Sequence, residues 1–171
     1  VFQWFYLHNR RKGIRHDPVL ELLWFDPSVE PESPEGTLLR GRAYDHHGKC
    51  ISSRTDWNPR STPTVVCSKA GIEKHHEHND AGQVIIDGYG KRLIVDPGSP
   101  SAYPADFFGP DRYEYYNASV WGHNVPVIAG TEPGSRHSGP RPQGRIVESV
   151  FDDEEGGYWK IDLTDFYEEA L

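Results

Sequence analysis

"GQVIIDGYGKRLIVD", residues 82–96, decides the fold. Two β-branched runs flank Asp87-Gly88-Tyr89-Gly90, where the glycines supply positive φ at little steric cost, so the stretch predicts a tight β-hairpin. Upstream, "TLLRGRAYDHHGKCISSRTDW" (37–57) predicts two strands around a His-Gly turn, and "TPTVVCSKAG" (62–71) a third. Downstream, "SVWGHNVPVIAG" (119–130), "GRIVESVF" (144–151) and "GYWKIDLTDF" (157–166) predict three more. Short strands at this spacing imply a mostly β domain, an antiparallel β-sandwich. Residues 1–25 carry apolar clusters without strand alternation and lead into the Pro- and Glu-rich "DPSVEPESPEG", which predicts a short N-terminal helical segment and then a surface loop.

The chain has 171 residues, 36% hydrophobic and 12% aromatic, enough for one packed domain. With 18 basic and 26 acidic residues its formal charge is -8, which argues against nucleic acid as a partner. The arginines are unevenly spread, however, and local fields steer substrates. Two cysteines, Cys50 and Cys67, are too few for a disulfide scaffold, and whether they pair is open. No apolar run is long enough to span a membrane. The chain lacks methionine and begins Val1-Phe2, which suggests a piece of a longer protein.

Just before the hairpin, "KHHEHND" (74–80) puts three histidines into four positions. If a strand runs through them, His76 and His78 share one face and His75 and Glu77 the other. The return strand then brings Asp96 beside His78, and His123 in "WGHNV" offers a further nitrogen. Two histidines, an aspartate and a water make a four-coordinate zinc site. The H-x-H spacing alone is equally compatible with solvated histidines, and Asp96-Pro97-Gly98 with a plain turn. The loop over 96–117, "DPGSPSAYPADFFGPDRYEYYN", is long for a compact domain and suits a cover over a site. Its Arg112, Tyr113, Tyr115 and Tyr116 can pair with sugar carboxylates and stack on sugar rings, or pack the loop onto the sheet. A second loop, over 131–144, is more polar and reads as mobile.

"HHEHNDAGQVIIDGYGKRLIVDPG" followed by "WGHNVPVIAG" resembles the C-terminal domain of the heparinase II/III-like polysaccharide lyases. "RTDW" and "LLWFDP" upstream are similar to that family's preceding strand and interdomain joint, so the resemblance runs over about residues 20–130. It implies zinc held by His78, Asp96 and His123, and a catalytic His76 facing the cleft, with His75 next to it able to bind the substrate carboxylate. Gln83 departs from the family pattern, which commonly has a small residue there. The implied activity is β-elimination on uronic-acid glycans, with heparan sulfate and other glycosaminoglycans or alginate as candidate substrates. The resemblance also implies that residues 1–28 are the end of a missing N-terminal α/α-toroid domain and 29–171 the β-sandwich. That missing domain would supply the tyrosine acid, so the chain alone is expected to be inactive. By analogy the parent is periplasmic or secreted; its partners are an acidic poly- or oligosaccharide and the toroid domain, with a homodimer left open. Two other readings compete. A cupin-like metal enzyme usually adds a glutamate after H-x-H, where this chain has "NDAGQV". A non-catalytic carbohydrate-binding or structural module would use the metal only to staple loops.

Overall fold

The computed structural model describes residues 2–9, 18–46, 49–71, 77–128 and 142–167. His75, His76 and most of the loop over 131–144 lie outside the described residues. Two short helices open the chain, α1 (Phe2–Asn9) and α2 (Pro18–Trp24). Proline suits the first position of α2 because its missing N–H has no partner to lose there. Five strands follow as one antiparallel sheet in chain order: β1 (Gly41–Tyr44), β2 (Cys50–Arg54), β3 (Val65–Lys69), β4 (Val84–Gly88) and β5 (Lys91–Ile94). β6 (Arg145–Asp152) and β7 (Gly156–Asp162) form a separate two-stranded sheet. The mostly β, antiparallel class is thus borne out.

The decisive hairpin is β4–β5. Its two loop residues, Tyr89 and Gly90, have φ of 54° and 71°, the pair of positive values whose twist matches that of the flanking strands. Register sorts the five-stranded sheet into two faces. One carries Gly41, Ala43, Ile51, Ser53, Val66 and Ser68; the other carries Arg42, Cys50, Ser52, Arg54, Cys67 and Asp87. The β6–β7 hairpin covers the first. The Trp159 indole N–H donates to Ser68 Oγ at 3.3 Å, and the Phe151 ring lies where a side chain at Gly41 would be: a Cβ there would come within 2.1 Å of it. Ile51, 1% exposed, is buried in the same layer. The second face leaves Cys50 exposed and Cys67 half-buried, both free thiols.

Two expected strands are corrected. The described part of the histidine run, from Glu77 to Gln83, is a loop, because Gly82 at φ 85° turns the chain and the Gln83 N–H closes onto the Asp80 carbonyl at 3.1 Å. The stretch from residue 119 is likewise no strand. Val120–Gly122 is a 3-10 turn, closed by Gly122 N–H on Ser119 O at 3.2 Å, and the chain runs on irregularly past Pro126. Among the described residues, no helix is long and apolar enough to cross a membrane.

Candidate functional site

The loop that carries His78 leaves the end of β3 and returns to the start of β4, and a lysine holds it. Lys69 Nζ donates to both Asp80 oxygens, at 2.9 and 3.0 Å, and to Glu77. All three side chains are less than a fifth exposed. Burial works to lower the Lys69 pKa, but the Asp80 and Glu77 carboxylates outweigh it and hold it above its ordinary value. Main-chain bonds complete the clamp: Gly82 N–H to Lys69 O at 2.7 Å and Asn79 N–H to Ala118 O at 2.9 Å. Ala81 packs beneath them against Phe166 and Tyr167. His78 therefore sits between two fixed neighbours, Glu77 and Asp80.

Asp96 follows β5. Its Oδ1 accepts the Gly98 N–H at 2.7 Å, and its Oδ2 lies 2.6 Å from His123 Nδ1. His123 comes directly after Gly122, where a Cβ would fall 2.1 Å from the Tyr116 carbonyl oxygen, so only glycine permits the approach. Asn124 then ties the segment to the start of β4 and to the residue that follows β5. Its side-chain amide donates to Val95 O at 2.8 Å, and its carbonyl accepts the Val84 N–H at 3.2 Å. The His78 and His123 rings stand with centroids 5.3 Å apart. Burial, reinforced by His123 and Arg112, pushes His78 down to about 4, so its imidazole is neutral at pH 7.

The long loop closes over this corner. Phe107 is fully buried, with Tyr103, Phe108 and Tyr115 around it and His78 at 6.4 Å. Arg112 is only 8% exposed; its guanidinium lies 5.2 and 5.1 Å from the Phe107 and Phe108 ring centroids and 5.9 Å from that of Tyr113. The Tyr115 hydroxyl donates to Asp106 at 2.7 Å, which raises its pKa, whereas Tyr116 is largely exposed. Of the candidate sugar-contacting groups, Tyr116 is thus the most open to solvent and Arg112 the most enclosed. Lys69 and Phe107 are structural supports of this corner that sequence reasoning does not single out. A lysine ending a strand or a phenylalanine in a loop carries no signal until its partners are known.

His78, Asp96 and His123 come together here, while His75 and His76 fall outside the described residues. The donor set suits zinc: two imidazoles, one held neutral, and a carboxylate. His123 Nε2 is buried with no hydrogen-bond partner, an orphan that a ligand would satisfy. His123 Nδ1 is already engaged by Asp96, and among the described residues no three His, Cys, Asp or Glu groups are spaced as a finished metal site.

A family model described as heparinase II/III-like, C-terminal, matches residues 62–171, a span that takes in β3, the histidine loop, the hairpin, His123 and the β6–β7 sheet. No curated protein matches the chain.

Proposed function

We propose, from the premise that this chain belongs to the heparinase II/III-like family through its C-terminal domain, that it is part of a polysaccharide lyase acting on uronic-acid glycans. The observation that carries the reading is the meeting of His78, Asp96 and His123 at the base of the β4–β5 hairpin. In the proposed reaction a base removes the proton at C5 of the uronate. The C–H electron pair becomes the C4–C5 double bond, the C4–O bond breaks, and the departing oxygen takes a proton from an acid. His76 is the proposed base or its immediate partner, with His75 beside the substrate carboxylate. The acid is a tyrosine from an N-terminal α/α-toroid domain. Arg112, Tyr113, Tyr115 and Tyr116 belong to the loop that would border the sugar.

His78, Asp96 and His123 are the proposed zinc ligands. The metal, when bound, would supply a fixed anchor rather than an activated water, because an elimination needs no hydroxide. The remaining positioning falls to the chain's own residues: Lys69 grips Glu77 and Asp80 on either side of His78, and Asp96 orients the His123 ring.

The test is elemental analysis of the purified chain and of His78→Ala, Asp96→Ala and His123→Ala. Near-stoichiometric zinc, lost in each variant, is expected. In the protein extended by its toroid domain, His76→Ala should keep the zinc and abolish unsaturated product. Zinc in the parent with no product from any uronic-acid polymer would instead favour a binding module in which the metal staples loops.

A further inference from the structure

The far end of the hairpin builds a second concavity, and its chemistry differs from that of the histidine corner. Arg54 at the end of β2, Val65 on β3, Asp87 on β4 and Arg92 on β5 are successive register partners, so they form one row across the uncovered face. Beyond this row Trp57 and the α1 residues Trp4 and Phe5 rise as a wall, Phe5 meeting Trp57 edge-on at 5.6 Å. Together they enclose a cavity of about 290 Å³.

Its charges are unevenly matched. Asp87 and Arg92 form an ion pair at 3.6 Å, too long for a hydrogen bond, so Asp87 Oδ1 is also buried without one, and Asp56 accepts the Asn58 N–H of its own turn at 2.8 Å. Arg54 has no carboxylate partner among the described residues: its guanidinium carbon lies over the Trp57 ring, 4.3 Å from the centroid, and its Nε is buried without a hydrogen bond. Lys91, exposed at the hairpin tip, likewise has no ion pair among the described residues. A buried guanidinium N–H left unpaired is costly unless something accepts from it. An aromatic wall beside two uncompensated cations suits a ligand that is flat and apolar on one side and anionic on the other.

We propose that this cavity binds a uronate residue of an acidic oligosaccharide, its carboxylate on Arg54 and Lys91 and its ring against the aromatic wall. The proposal rests on the reading of the protein as one that acts on uronic-acid glycans. The site is distinct from the histidine corner, because β4 separates the two by roughly 13 Å of strand. It would hold a glycan at a point away from the bond being broken, or hold a released product.

The experiment is a titration of the ¹⁵N-labelled chain with a tetrasaccharide of alternating glucuronate and N-acetylglucosamine, with trimannuronate, and with cellotetraose as a neutral control. The Arg54 Nε–H and the Trp57 indole N–H, which donates to Leu38 O at 3.1 Å, are the reporters. Saturable shifts of both with either uronate ligand, and none with cellotetraose, are expected. Arg54→Gln should weaken binding by about tenfold or more, the loss typical of a hydrogen bond to a charged group. Lys91→Gln, on the exposed tip, should weaken it by a smaller factor with no effect on folding. His78→Ala and His123→Ala should leave the shifts in place. Equal shifts with cellotetraose, no saturable shift at either reporter, or shifts lost in His78→Ala but kept in Arg54→Gln would each overturn the proposal. A toroid-bearing protein that yields no unsaturated product while these shifts persist would retire the lyase reading and leave this site standing. Product without the shifts would do the reverse.

Discussion

The two ends of the β4–β5 hairpin handle charge in opposite ways. At the base the carboxylates are matched, Asp80 and Glu77 by Lys69 and Asp96 by His123 and the Gly98 N–H, while His123 Nε2 and Arg112 Nε are buried without a hydrogen bond. At the tip, Arg54 and Lys91 face a cavity with no such match, over a wall of aromatic rings. The base is built for fixed geometry, since the loop that carries His78 is held at several points, by the Lys69 ammonium, by the Ala118 carbonyl and by Ala81 packed on Phe166 and Tyr167. The tip is built to accept something from outside. A single hairpin can serve both ends because its strands are rigid while its termini are free to differ in chemistry.

Three substitutions or modifications would break or sharpen this contrast. The largest effect is expected from Lys69→Met, which leaves Glu77 and Asp80 buried without their cation. Breaking a buried pair in this way costs about 3–5 kcal/mol, to be read from urea unfolding. A loss under about 1 kcal/mol would show that the base is not held by charge. Next is Gly122→Ala. Its new methyl would meet the Tyr116 carbonyl, so a loss of about 1–3 kcal/mol is expected, together with altered His123 resonances. Unchanged His123 signals would mean that the turn yields without disturbing the corner.

The smallest effect concerns the open face between the two ends. Cys50 is exposed, while burial raises the Cys67 thiol pKa. The thiolate is the reacting form, so iodoacetamide should label Cys50 first. Labelling of Cys67 should keep rising with pH beyond the ordinary thiol range, as mass spectrometry of timed samples would show. Equal rates at neutral pH would mean that this face is more open at Cys67 than the structure has it.

What could be read from the sequence was local. The hairpin is legible because two β-branched runs flank a glycine-rich turn, although Tyr89 rather than Gly88 joins Gly90 in taking a positive φ, and β1–β3, β6 and β7 are legible because each strand pairs with its neighbour along the chain. The strand readings at Glu77–Asp80 and from residue 119 fail for the converse reason. The Asn79 N–H donates to the Ala118 carbonyl, so these two segments brace each other, and the Asn124 carbonyl accepts from Val84 at the start of β4 without a strand forming there. Alternation cannot reveal that, because it reports which face a side chain would take only once a strand exists. The candidate residues His78, Asp96 and His123 could be picked by residue type. Their support by Lys69 could not, since its partners lie 8 and 11 residues further on, across a turn.

The Phe151 ring over Gly41 has a mechanical consequence. The two sheets are keyed by a missing side chain: the ring occupies a notch that exists only where a strand lacks a Cβ. The next position on the same face is Ala43, whose methyl fills the equivalent space. Sliding one sheet over the other by a single two-residue step would therefore drive the ring into an occupied position. The sandwich has one seated alignment, and shear between its layers meets a stop rather than a slope.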